Sequence, residues 1–135
     1  MARIKGWEHR LIVGMEDYLN LPFDWGTSNC GHGITTAVRA CLGANHPIMQ
    51  YLDLCHDEHT TREVLRHNGG LVNILGQYFT MHLSPLMASN GDVGVLRFVN
   101  EEVGCVVLDN MAVGKRLDGG VFRIGIKHMK YAFKV

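Results

Sequence analysis

The N-terminal part of the chain has the period of an amphipathic helix. Apolar residues recur there at steps of three and four positions, which places them on one helix face. They are Trp7, Leu11, Ile12, Met15, Tyr18 and Leu19. Pro22 has no backbone N–H to donate, so this helix is predicted to end before it.

A second amphipathic helix is predicted to begin near Cys30. It follows a turn-rich stretch, Phe23–Asn29, whose last residues are good N-caps, and Gly43 is a typical C-terminal stop. Its predicted buried residues are Ile34, Ala37, Val38, Cys41 and Leu42. Further helices are predicted to open at Pro47, after the capping-box pair Thr60 and Glu63, and after Gly69-Gly70.

From Asp92 onward the pattern changes to short β-branched runs separated by turn residues. The predicted strands are 93–99, 103–108, 121–126 and the tail 130–135. The basic group 114–116 is predicted to be a solvated strand end. Helices followed by strands predict an α+β fold, with the helices packed on a small antiparallel sheet in one domain over residues 1–135.

Composition excludes several classes of function. Thirteen basic and thirteen acidic residues cancel, so there is no basic field to hold nucleic acid. No apolar run approaches the roughly 20 residues that span a bilayer, and the N-terminus lacks a signal-peptide apolar segment, which predicts that the chain starts in the cytoplasm of the cell that produces it. The absence of net charge favours association with protein partners, including copies of the same chain.

Cys30 is the cysteine with the most reactive predicted setting. A helix N-terminus carries partial positive charge and free N–H groups, which lower a thiol pKa and stabilise an oxyanion. The alternative is a small residue packed at a helix end. Cys41 and Cys105 lie in apolar patterns and are predicted to be structural. The absence of a Cys-x-x-Cys pair predicts free thiols.

The segment Cys55–His59 contains residue types that bind metals. His56 and His59 are three positions apart, which would place them on one helix face. Zinc sites need three or four ligands in fixed geometry, and no second cluster with ligand spacing occurs in the sequence. The sequence therefore predicts no metal and no cofactor.

Three segments together resemble the NlpC-type branch of the papain-like cysteine peptidases. The first runs from Phe23-Asp-Trp-Gly26 to Asn29-Cys30-Gly31 and resembles the nucleophile segment. Gly91-Asp92-Val93 resembles the family's Gly-Asp-Leu/Val segment, and Glu102-Val103-Gly104 resembles the strand that begins His-Val-Gly-Ile. Their order and spacing are most similar to a branch of this superfamily encoded by tailed phages and prophages.

The resemblance implies a papain-like fold with a site at Cys30, Glu102 and Lys115. These positions correspond to the nucleophile, the catalytic histidine and the third polar residue of the family. A thiolate nucleophile normally needs an imidazole as base, whereas glutamate suits neutral pH only where burial raises its pKa. The other candidate bases are His32, which is predicted to point away from the thiol, His82 and His128.

Two functions follow from the resemblance. The first is a virion protein in the phage tail, near its tip, that contacts other tail proteins and keeps the hydrolase fold without the chemistry. The second is an active cysteine peptidase or amidase that cleaves peptidoglycan stem peptides during phage entry. Glutamate in the histidine position favours the first. The alkylation rate of Cys30 distinguishes them, because an active thiol has a depressed pKa.

Overall fold

The structure, a computed structural model, describes residues 2–135. Its α-helices are α1 (Trp7–Asn20), α2 (Cys30–Leu42), α3 (Glu58–His67) and α4 (Leu71–Gly76). Its strands are β1 (Thr80–Met81), β2 (Val93–Phe98), β3 (Glu101–Leu108), β4 (Met111–Lys115), β5 (Val121–Gly125) and β6 (Tyr131–Lys134). Short 3₁₀ helices span Pro47–Leu54, Pro85–Met87 and Ile126–His128. The predicted α+β class is confirmed.

The six strands form one antiparallel sheet in the order β1-β6-β2-β3-β4-β5. Strands β2 to β5 follow one another as hairpins, and β6 returns to pair with β2. Asp109 and Asn110 both have positive φ, as a two-residue turn between β3 and β4 requires. This arrangement brings the start of β3 and the end of β4 to the same end of the sheet.

Both faces of the sheet are buried. Helix α2 packs on β3 and β4, and α1 packs on α2. Val95, Val106 and Val113 face the helices, whereas Val107 and Ala112 belong to a second core on the opposite face. Burial on both sides explains why the strands appear in the sequence as continuous apolar runs rather than as alternating patterns.

Several local predictions differ from the structure. Helices α1 and α2 lie where predicted, although Ile12 is 58% exposed and lies outside the buried stripe of α1. The predicted Thr60–Glu63 capping box is wrong, because Asp57 caps α3 and Thr60 is its N3 partner. The segment from Pro47 is a 3₁₀ helix, and strand β4 was not predicted. No helix within residues 2–135 is long and apolar enough to cross a membrane.

Candidate active site around Cys30

Cys30 is the first residue of α2, as predicted, and the helix start is held by a reciprocal cap. The Asn29 side-chain oxygen accepts a hydrogen bond from the His32 N–H at 3.1 Å. The Asn29 N–H donates to Nδ1 of His32, also at 3.1 Å. Each side chain thus satisfies a backbone N–H that the helix itself leaves free. Asn29 and His32 therefore have a shared structural role.

The turn before Cys30 is fixed by its own hydrogen bonds. The Asp24 carboxylate accepts from the N–H groups of Gly26 and Thr27 at 2.8 and 3.0 Å. The Asn29 amide donates to the Trp25 carbonyl at 2.7 Å. A side chain at Gly26 would collide with the backbone carbonyl of His56, so only glycine fits there. The segment that carries the thiol is therefore rigidly placed against the helical layer.

Burial raises the pKa of the Cys30 thiol above its ordinary value. The N–H groups of Gly104, of Cys30 itself and of Gly31 act in the opposite direction but do not offset the loss of solvation. The residue packs against the sheet and is only partly exposed. Desolvation therefore exceeds the effect of the helix terminus, which by itself would lower this pKa.

The structure brings two of the three predicted site residues together. Cys30 and Glu102 both line a cavity of about 90 Å³ between the start of α2, α3, α4 and the start of β3. Most of the lining is apolar and includes Ile34, Ile48, Leu52, Val64, Leu71 and Ile74. Glu102 is 32% exposed, and its nearest cationic partner is Arg97, with Nη2 3.7 Å from the carboxylate.

None of the histidines within residues 2–135 lines this cavity. His32 belongs to the helix cap, and burial lowers its pKa, so the neutral form is favoured. Nε2 of His82 lies 2.9 Å from the Asp92 carboxylate, away from Cys30. His128 lies in the 3₁₀ helix after β5. The structure therefore assigns no imidazole to the thiol.

Lys115, the third predicted site residue, is not part of the cavity lining. It was predicted to be solvated, but only 1% of it is exposed. Its ammonium donates to the Leu21 carbonyl at 2.7 Å and to the Ser28 hydroxyl, and it lies 4.2 Å from the Tyr18 ring centroid. These contacts join the end of β4 to the segment between α1 and α2. Lys115 is thus a positioning residue for the loop that carries Cys30.

Burial also gives Lys115 a measurable effect on stability, because it lowers the pKa of the folded-state ammonium below its ordinary 10.5. Between the two pKa values the unfolded chain binds more protons, so the free energy of unfolding rises with pH in that window. The buried thiols, whose pKa values are raised, act in the opposite direction above pH 9, so the effect of Lys115 is measured as a difference. In urea unfolding from neutral pH to pH 10.5, the free energy of unfolding of wild type is expected to rise relative to that of Lys115→Met. The exposed control Lys127→Met is expected to retain it. Parallel curves for wild type and Lys115→Met would contradict the assignment.

A family model described as a domain of unknown function (DUF6950) matches residues 2–135. The chain belongs to the DUF6950 family. No curated protein and no solved structure matches the chain. In this DUF6950 chain, the match extends over the whole helical layer and the whole sheet, and so includes the cavity and both of its predicted site residues.

Sequence reasoning missed one polar cluster in this DUF6950 chain. Asp92, predicted only as part of a Gly-Asp-Val segment, is buried and binds both Arg3 and His82 at 2.9 Å. Gly91 precedes it with φ of +88°, and a side chain there would collide with Cys41 and Arg3. The only sequence signal for this cluster is the Gly-Asp pair before a β-branched strand, and that pair does not indicate that Arg3 and His82 bind the aspartate.

Proposed function

We propose that the chain is a structural component of a phage tail, near the tail tip, with an NlpC-type papain-like fold whose hydrolase site is incomplete. The observation that carries this proposal is the composition of the cavity. Cys30 and Glu102 both line it, and no histidine among residues 2–135 does. The arrangement of a helix N-terminus laid against the start of a strand supports the fold assignment made from the sequence motifs.

The chemistry of acyl transfer explains why this site supports a scaffold better than an enzyme. A cysteine nucleophile needs a base to form the thiolate and an acid to protonate the leaving amine. Burial raises the pKa of Cys30, so the thiol form predominates at neutral pH. A carboxylate in the same cavity lining does not replace an imidazole, which is partly protonated near neutral pH.

Location in the virion is tested directly by analysing purified particles. Mass spectrometry of separated tails is expected to detect the chain, and antibody labelling is expected to place it near the tip. Particles that lack the chain and remain fully infectious would contradict the proposed role.

An active cysteine peptidase or amidase acting on peptidoglycan stem peptides is the second candidate. The observation in its favour is that Cys30 lines a cavity and lies beside the N–H groups at the start of α2, which suit an oxyanion. Under this alternative, Cys30→Ala would abolish hydrolysis of stem peptides. Under the scaffold proposal, wild type and Cys30→Ala show the same background rate.

Alkylation of Cys30 by iodoacetamide is expected to be slow at neutral pH and to accelerate only above the ordinary thiol pKa of 9.0. The reason is that burial, rather than the helix terminus, dominates the protonation of this sulfur. Peptide mapping by mass spectrometry separates Cys30 from Cys41, Cys55 and Cys105. A rate that reaches its plateau at or below neutral pH would favour the enzyme.

A further inference from the structure

The cavity in front of Cys30 combines an apolar interior with an acidic mouth. Its interior is built mostly by apolar side chains of α2, α3, α4 and the 3₁₀ helix from Pro47, with the hydroxyls of Thr35, Tyr51 and Thr61 among them. The mouth is formed by three partly exposed charged residues. Two are the first residues of β3, Glu101 and Glu102, and the third is Arg62 from α3. A mostly apolar cavity with a few polar groups at one end is the usual design of a small-molecule site.

The charges at the mouth do not balance. Arg62 is shared by two carboxylates, Glu58 at 2.9 Å and Glu101 at 3.2 Å. Glu102 has only Arg97, at 3.7 Å, which is too long for a hydrogen bond. Within residues 2–135, the Glu102 carboxylate accepts no side-chain hydrogen bond. With the partners outside the cavity included, three carboxylates share two guanidinium groups, and Glu102 keeps its capacity to bind a cation.

We infer that this cavity binds a short aliphatic primary amine. The alkyl chain occupies the mostly apolar interior, where its burial from water favours binding. The ammonium lies at the mouth and donates to Glu102, as a charge-assisted hydrogen bond. This inference concerns binding alone and does not depend on the role in the virion, so either can fail without the other.

The test uses the full chain and the fluorescence of Trp25, which lines the cavity. The chain has two tryptophans, so a Trp7→Phe background leaves Trp25 as the single reporter. Titration with n-pentylamine at neutral pH is compared with pentanol, which has the same alkyl chain and no charge. We expect the amine to bind about tenfold more tightly, as one charge-assisted hydrogen bond predicts.

Glu102→Gln in the same background is expected to abolish the preference for the amine and to leave pentanol binding unchanged. The matched control is Glu63→Gln, which removes a carboxylate that is paired with Arg66 and lies outside the cavity. Circular dichroism checks that both variants fold. Equal affinity for amine and alcohol in wild type, tighter binding of pentanoate, or no saturable binding of any of the three would overturn the inference.

Discussion

Replacing Asp92 with asparagine is expected to destabilise the protein by about 3–5 kcal/mol, because it removes a buried carboxylate that is paired with Arg3. One carboxylate oxygen accepts from Arg3 at 2.9 Å and from the Val135 N–H at 3.1 Å. The other accepts from the Ser89 N–H at 3.0 Å and lies 2.9 Å from Nε2 of His82. The asparagine side chain has one acceptor oxygen instead of two, so two of these four partners lose their hydrogen-bond acceptor.

Urea unfolding followed by circular dichroism measures this loss. The control is Asp53→Asn, which makes the same change at an exposed position of the 3₁₀ helix from Pro47, where an effect within about 0.5 kcal/mol is expected. Comparable midpoints for the two variants would show that the Asp92 cluster contributes little. The cluster matters for the fold because it joins the segment before α1, the loop before β2 and the end of β6.

The same cluster explains why His82 is not available to Cys30. Its imidazole is 13% exposed and already paired with the Asp92 carboxylate, at the end of the sheet where β1 and β6 meet β2. The sequence placed His82 just before the Gly-Asp segment, which made it a candidate base. His82 does lie close to the Gly-Asp segment in the structure, but its imidazole pairs with the Asp92 carboxylate rather than with the Cys30 thiol.

The elements that sequence could predict are those whose signals are local. The apolar stripe of α2, the polar residues before Cys30 and the glycine after Leu42 all lie within one helix and its ends, and the structure confirms this helix. The start of α3 was predicted at the wrong residue because two residue pairs in this segment have the spacing of a capping box. Asp57 with Thr60 forms the cap, whereas Thr60 with Glu63 has the same pattern and does not.

The environment of Lys115 could not be predicted, because its partners are far away along the chain. Its ammonium contacts Leu21 and Ser28, 94 and 87 positions earlier. Strand β4 itself contains glycine, alanine and methionine, and therefore lacks the β-branched run that identified the other strands. The direction of the pKa shift of Cys30 could not be predicted for a related reason. A helix terminus can be recognised in a sequence, whereas the burial that outweighs it depends on the packing of α2 against β3.

The close approach of α2 to β3 leads to the second large effect. Gly104→Ala is expected to destabilise the protein by about 2–3 kcal/mol through overpacking. An added Cβ would lie 2.5 Å from Cδ1 of Ile34 and 3.2 Å from Cδ2 of Leu71. Ile34 is 2% exposed and packed in the main core. Its terminal methyl can avoid the added Cβ only by turning into the cavity that it lines or by a shift of α2 away from the sheet, and either change disturbs the packing.

Gly76→Ala provides the matched control for this substitution. A Cβ at Gly76, the last residue of α4, meets no atom within 4 Å, so the change is expected to be neutral or to stabilise by up to about 1 kcal/mol. Thermal and urea unfolding of both variants measure the difference. Because the Gly104 N–H faces the Cys30 sulfur, a shift of α2 in Gly104→Ala should also speed the alkylation of Cys30. Wild-type stability together with an unchanged alkylation rate would show that the contact between α2 and β3 is looser than the structure indicates.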